Sequence, residues 1–190
     1  MQDISLHLLD IIENSVRAEA DKIVISICIN EPENKLKIGI SDNGKGMDKE
    51  MLKMVSDPFF TTKTEREKKV GLGIPLFKQN AELAGGGFFL TSKKGNGTKI
   101  DAEFQLDHID RMPLGNLSET FLNSIIAHPE VDFFIKMERK LKDKKIEFIF
   151  STEELKKELG DVPLSYPDVI SFIKENLNNG EKKINMGESL

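Results

Sequence analysis

The sequence predicts an α+β fold, with helices laid on one face of a largely antiparallel sheet. Three observations carry that expectation. Apolar residues recur at spacings of three and four in some segments and alternate in others, so helices and strands follow one another along the chain. Glycine and proline clusters punctuate the changes of period. Of 190 residues, 38% are apolar and 31% charged, a balance that excludes disordered, fibrous and membrane-spanning chains.

The first element is an amphipathic helix from Asp3 to about Ala20, with Ile4, Leu8, Ile11, Ile12 and Val16 on its apolar face. Asp10, Asn14 and Arg17 share a polar stripe on it, with Glu13 beside them. Lys22–Ile29 and Lys35–Ser41 alternate as strands around a turn at Glu31–Asn34. Asp48–Val55 is a short helix, and Asp57–Val70 a polar connection of the length that usually serves a function. Leu72–Ala84 reads as a helix stopped by Gly85–Gly87, and Phe88–Ser92 with Thr98–Leu106 as a hairpin.

Composition shifts at Asp107–Asn116, which divides the chain into 1–107 and 116–180. The second part offers helices at Ser118–Ala127, at Thr152–Leu159 behind a capping box, and from Pro167 onward. Its strands are Val131–Met137 and Ile146–Phe150. The last ten residues are expected to fray. Lys136–Lys145, with six basic residues, reads as a solvated hairpin tip. Nothing in this part resembles an active site, so partner recognition or self-association is its expected role.

A net charge of −5 gives no reason to expect nucleic acid or an anionic membrane as partner. The one cysteine, Cys28, excludes an internal disulfide and reads as a buried core thiol. With no basic leader and no apolar run near ~18 residues, the expectation is a soluble cytoplasmic protein.

Ten of the fourteen glycines fall between Gly39 and Gly97, within a stretch rich in Ile, Leu and Phe, which suggests backbone bent around a ligand. An Asn on a helix face, with carboxylates beside it and Arg one turn on, can hold Mg²⁺ by its amide oxygen. Asp42, at a strand end with Gly44 and Gly46 behind it, can aim a carboxylate at the exocyclic amine of a flat base. Gly71 and Gly73, at a helix start, can turn free N–H groups on phosphates.

Taken together and in order, these motifs resemble the superfamily that joins DNA gyrase, heat-shock chaperone, histidine kinase and mismatch-repair ATPases. Asp10–Arg17 resembles its Asn box and Asp42–Met47 its first glycine box. Pro58–Lys63 resembles the Phe box, Gly71–Ile74 the second glycine box and Gly95–Thr98 the third. The resemblance spans about residues 3–106, and the Phe-box wording is most similar to the histidine kinase branch.

It implies a two-layer α/β sandwich of the histidine-kinase ATPase (Bergerat) type, with a small C-terminal α+β module. It also implies ATP and Mg²⁺ as cofactors, with Asn14 on the metal and Asp42 on adenine. Gly44, Gly46 and Met47 would wall the base and Thr98 would support its pocket. Arg17, Lys63 and the lid residues Gly71, Leu72 and Gly73 would meet the phosphates. Two departures matter. The general-base Glu of the gyrase and mismatch-repair branches is here Asp10, one methylene shorter, with Glu13 the other candidate. The Asn box begins near residue 7, so the usual dimerising phosphoacceptor hairpin is not expected.

The implied function is Mg-ATP binding with transfer of the γ-phosphate to a partner protein in signal transduction. The alternative is a slow ATPase or a non-catalytic switch that regulates a partner. The motifs leave the acceptor and the oligomeric state open. His7 reads as a polar-face residue beside the site and His128 as a helix-end cap. His108, in a stretch that faintly echoes the kinase phosphoacceptor, reads first as part of a linker.

Overall fold

The computed structural model describes residues 3–56 and 73–185. The N-terminal helix α1 (Ile4–Arg17) leads into β1 (Lys22–Asn30) and β2 (Lys35–Asp42), then α2 (Lys49–Ser56). After the undescribed stretch come α3 (Gly73–Leu83), β3 (Gly87–Ser92) and β4 (Thr98–Gln105). The chain continues with α4 (Leu117–Ala127), β5 (Asp132–Lys140), β6 (Lys145–Ser151), α5 (Thr152–Leu159) and α6 (Pro167–Asn185).

The six strands of the described residues form one sheet, ordered β3-β4-β2-β1-β5-β6. Only β1 and β5 run parallel; every other pair is antiparallel. Alternation in β1 places Ile23, Ile25, Ile27 and Ile29 on one face, each at most 2% exposed. The register then sets apolar residues side by side across the strands. One row runs Leu90, Ile100, Ile40, Ile25, Ile135, Phe150, and the next Phe88, Ala102, Ile38, Ile27, Met137, Phe148. Against this face lie Leu8 and Ile12 of α1, Phe77 of α3, Phe121 and Ile125 of α4, and Ile173 and Leu177 of α6.

The sheet runs across the division that composition suggested. Residues 116–180 do not pack as a module apart, because β5 pairs with β1 along all of Lys22–Asn30 and shares its core. The intervening segment is tied to the start of α1, where Ile4 N–H and Ser5 N–H donate to the carbonyls of Pro113 and Leu114.

Three local expectations change. Cys28 is half-buried on the opposite face, since the isoleucines occupy the inward positions of β1. There burial, followed by its contact with Glu138, pushes the thiol up to about 11. Lys136–Lys140 belongs to β5, leaving residues 141–144 as the tip, and Arg139 is only 5% exposed. Its guanidinium pairs with Glu31 and donates to the Ile184 carbonyl at 2.8 Å. Helix α6 accordingly continues through Asn185 rather than fraying from residue 181, with Ile184 buried.

Removal of everything after residue 108 strips β1 of one neighbour and α1 of the α4 contact. Each large side chain so uncovered forfeits about 1.5–3 kcal/mol of burial, and total stabilities are about 5–15 kcal/mol. The truncated chain is therefore expected to show no cooperative thermal transition by circular dichroism, where the full chain shows one. A sharp transition in the fragment would show that β1 does not need β5.

Candidate functional site

Residue parity in β2 carries the chain from Ile40 on the core face to Asp42 at the strand end, opposite Thr98 of β4 and Ile23 of β1. The Asp42 carboxylate is met from three directions. Its Oδ1 accepts from Gly44 N–H at 3.0 Å and Thr98 N–H at 3.2 Å. Its Oδ2 lies 2.9 Å from Ser15 Oγ on α1, a hydroxyl also 3.1 Å from the Ile11 carbonyl.

Above this carboxylate opens a cavity of about 380 Å³. Ile11, Ile40, Met47, Val55, Ile74 and Ile100 wall it with apolar surface; the paired Asp42 and Thr98, with Asn14, Arg17 and Lys45, also line it. Gly46 has φ +62, and a Cβ there would come within 2.1 Å of the Lys93 carbonyl, so the glycine lets the turn close against the Gly95–Gly97 hairpin. Gly95 N–H donates to the Lys45 carbonyl at 2.7 Å, and Met47 N–H to Ser92 Oγ at 2.8 Å.

The polar stripe of α1 divides into two directions. Asn14 lines the cavity; its amide N–H donates to Asp10 Oδ2 at 3.3 Å and its Oδ1 accepts from Arg17 Nη2 at 2.7 Å. Asp10 abuts the first residue of α3 so closely that a Cβ on Gly73 would overlap its Oδ2. Glu13 turns instead toward α4, where its Oε1 lies 2.8 Å from His128 Nε2. The structure thus gathers Asn14, Arg17, Asp42, Gly46, Met47 and Thr98 on the cavity, with Gly44 bonded to Asp42, and Asp10 bonded to Asn14 and set against Gly73. It brings neither Asp10 nor Glu13 into the lining. Lys63, Gly71 and Leu72, with the rest of the expected Phe box and lid, lie outside the described residues.

Sequence spacing gives no signal for the roles of Ser15 and Ser92, nor for the contact of His128 with Glu13. Ser15 follows Asn14 directly, and on a helix that neighbour faces about 100° away, toward the sheet. A second depression of about 380 Å³ opens on the other face of the sheet, lined by Ser26, Cys28, Phe89 and several charged residues. Its Glu138 is already bridged by Lys136, Lys140 and Lys145.

His7 is 1% exposed, stacked on Phe77 at 5.1 Å between ring centres, with Nε2 2.9 Å from Asn80 Nδ2. It is packed into the layer beside Asp10 rather than lying on a polar face. His128 is the C-cap of α4. His108 Nδ1 accepts from Asp110 N–H at 3.2 Å, just past the far end of β4 from Thr98. Eight residues of strand put it roughly 20–25 Å from the cavity, beyond reach within one molecule. Among the described residues, no group of three or more His, Cys, Asp or Glu could hold a metal ion, and no helix is long and apolar enough to cross a membrane.

A sheet covered by helices on one face thus carries an apolar cavity lined by Asp42 at a strand end and by Asn14 and Arg17 of α1. Residues 2–108 match the model of the histidine kinase-, DNA gyrase B- and HSP90-like ATPases, and the chain belongs to that family. It is similar to sensor histidine kinase ZraS of Escherichia coli (strain K12), 33% identical over 91 residues, 48% of this chain and 19% of that protein. It is also similar to sensor histidine kinase WalK of Bacillus subtilis (strain 168), 33% identical over 105 residues, 52% of this chain and 17% of that protein. The chain thus spans about a fifth of the length of these curated relatives. Among solved structures, the MutL ATPase domain of Aquifex aeolicus complexed with ADP aligns at 14% identity and a TM-score of 0.44, over 71% of this chain and 60% of that one.

Burial pushes the His7 imidazole below its ordinary 6.5, while the carboxylates of Asp10 and Asp3 pull the other way. The folded state therefore refuses a proton that the unfolded chain accepts, and stability falls as pH drops below about 6.5 toward the folded value. The melting temperature should fall more between about pH 7.5 and 5.5 in the wild type than in His7→Phe, which keeps the stack on Phe77. Equal falls in the two proteins would remove His7 as the source.

Proposed function

We propose that this cavity binds ATP with Mg²⁺ and that the chain passes the γ-phosphate to a partner protein. The observation that carries the reading is Asp42. Its Oδ1 already accepts two N–H bonds, its Oδ2 beside Ser15 keeps a position for one further donor, and the residue lines an apolar cavity of about 380 Å³. The exocyclic amine of adenine supplies that donor, and Gly46 and Met47 leave a flat wall for the ring. Arg17 and Lys45 at the cavity answer phosphate charge. The assignment extends to Lys63, Gly71 and Leu72 on sequence grounds alone, and to Gly73 at the α3 start.

The residues present fit Mg²⁺. That ion takes one or two protein oxygens, the rest from phosphates and water. Asn14 Oδ1 lines the cavity within 2.7 Å of Arg17, and no softer donor cluster competes among the described residues. When bound, Mg²⁺ neutralises phosphate charge. Arg17 shares that work, moving its guanidinium from Asn14 to a phosphate oxygen. Asp10, beside Asn14 and against α3, is placed to take a proton from the attacking group, whereas the His128 contact draws Glu13 elsewhere. Similarity to sensor kinases supports a protein as acceptor. ATP as the ligand supports the cytoplasm as the compartment.

Asp42→Asn is expected to weaken ATP binding at least about tenfold by calorimetry, through loss of a charge-assisted bond and a new unmatched N–H pair. Unchanged affinity would overturn the site. With labelled ATP, Asp10→Asn should cut phosphate release or partner labelling by about 10²–10⁴ while leaving binding intact, and Glu13→Gln should change turnover little. The reverse pattern would make Glu13 the base. Tight ATP binding with no turnover would favour a nucleotide-gated switch, a reading that the link from Glu13 to His128 supports, because it ties the Asn14 helix to the segment beyond residue 108.

A further inference from the structure

Ser92, at the end of β3, stands opposite Thr98 in the strand register and accepts from Met47 N–H. A serine hydroxyl has one hydrogen and two lone pairs. Ser92 Oγ lies 2.9 Å from the Gly97 carbonyl, which can only accept, so the hydrogen goes there. Met47 N–H takes one lone pair at 2.8 Å. The remaining neighbour is Thr98 Oγ1 at 3.0 Å, and with the serine hydrogen already spent it must be the donor.

That count sets the polarity that Asp42 and Thr98 present to the cavity. Thr98 lines the cavity, but its hydrogen is held by Ser92, so it offers the cavity lone pairs alone. Asp42 offers the same, having one open position on Oδ2. Two acceptors side by side favour a base edge that carries N–H₂ and oppose one that carries a carbonyl. A site built to hydrogen-bond in one sense discriminates strongly because the wrong ligand leaves its groups unmatched.

We propose that Ser92 is a specificity-determining positioning residue, which holds the Thr98 hydroxyl as an acceptor and so makes the site select 6-amino over 6-oxo purine nucleotides. This rests on the reading of the cavity as an ATP site.

The test is calorimetric binding of ATP and ITP to the full chain as wild type, Ser92→Ala and Ser92→Thr, with melting curves to confirm folding. The wild type should prefer ATP by about tenfold or more. Ser92→Ala frees the Thr98 hydrogen to turn toward a 6-oxo group, and the preference should shrink at least about fivefold. Ser92→Thr keeps the hydroxyl and should keep the wild-type ratio. Equal weakening of both nucleotides in Ser92→Ala, with the ratio unchanged, would mean that Ser92 only braces the Met47 turn, and overturns the proposal. Should Ser92→Ala fail to fold, Thr98→Val reads the same ratio, and an unchanged preference there overturns it equally. A wild type that binds ATP and ITP alike defeats the proposal while leaving the nucleotide site standing. One that binds neither defeats both.

Discussion

Four isoleucines at every second position of β1 leave that strand one register, because a slip by one residue would turn all of them to water. At about 1.5–3 kcal/mol for each such side chain, the slip would cost as much as the whole fold is worth. The same parity passes to β2 and β4 on one side and to β5 and β6 on the other, giving rows of apolar residues that span the sheet. It also decides what lies at the strand ends. Ile23, Asp42 and Thr98 fall side by side at one end of β1, β2 and β4, and the last two line the cavity, so the position of the acid follows from the packing of the core.

Holding a carboxylate at that point has its own requirement. A carboxylate turned from water must find donors, and each one missing costs about 1–3 kcal/mol. Asp42 draws them from α1 through Ser15, from the turn through Gly44 and from the last hairpin through Thr98. Segments distant in sequence are thereby fixed on one another by a single side chain. Ser92 adds a second clasp, binding Met47, Gly97 and Thr98 with the three positions of one hydroxyl.

Much of this could be read from the chain because its signals are local. The helical spacing of Ile4, Leu8 and Ile12, the alternation in β1 and the glycine clusters each act within a few residues, and all twelve elements lie close to where those signals place them. Pairing is different. Nothing in Val131–Met137 states that it will lie parallel to β1 rather than form a sheet of its own, since that choice depends on α1 and β1 presenting an uncovered edge. Cys28 departs from the expected core position for a related reason: a run of Ile and Val looks buried throughout, yet alternation sends every second residue to the opposite face. The turn of Glu13 toward α4 was equally out of reach, because its partner His128 lies more than a hundred residues away. Ser92 sits in an ordinary strand position, and only its three neighbours give it meaning.

The segment beyond residue 108 is thus part of the structure that supports the site. The Glu13–His128 contact is a weak lever, since an ion pair as exposed as Glu13 is worth about 0–1 kcal/mol. The stronger connections are the packing of α1 on α4, the clamp of Pro113 and Leu114 on the start of α1, and the full-length pairing of β1 with β5. Because α1 also carries Asn14, Arg17 and Ser15, a force on its cavity side is transmitted to a helix whose other contacts lie in α4. A rigid α1 has few ways to yield. It can shift as a body against α4, or it can hold α4 in place and make the cavity adapt. Burial favours the second, because moving α1 disturbs Leu8 and Ile12 in the core, whereas the cavity side offers side chains such as Arg17 that can swing without exposing apolar surface.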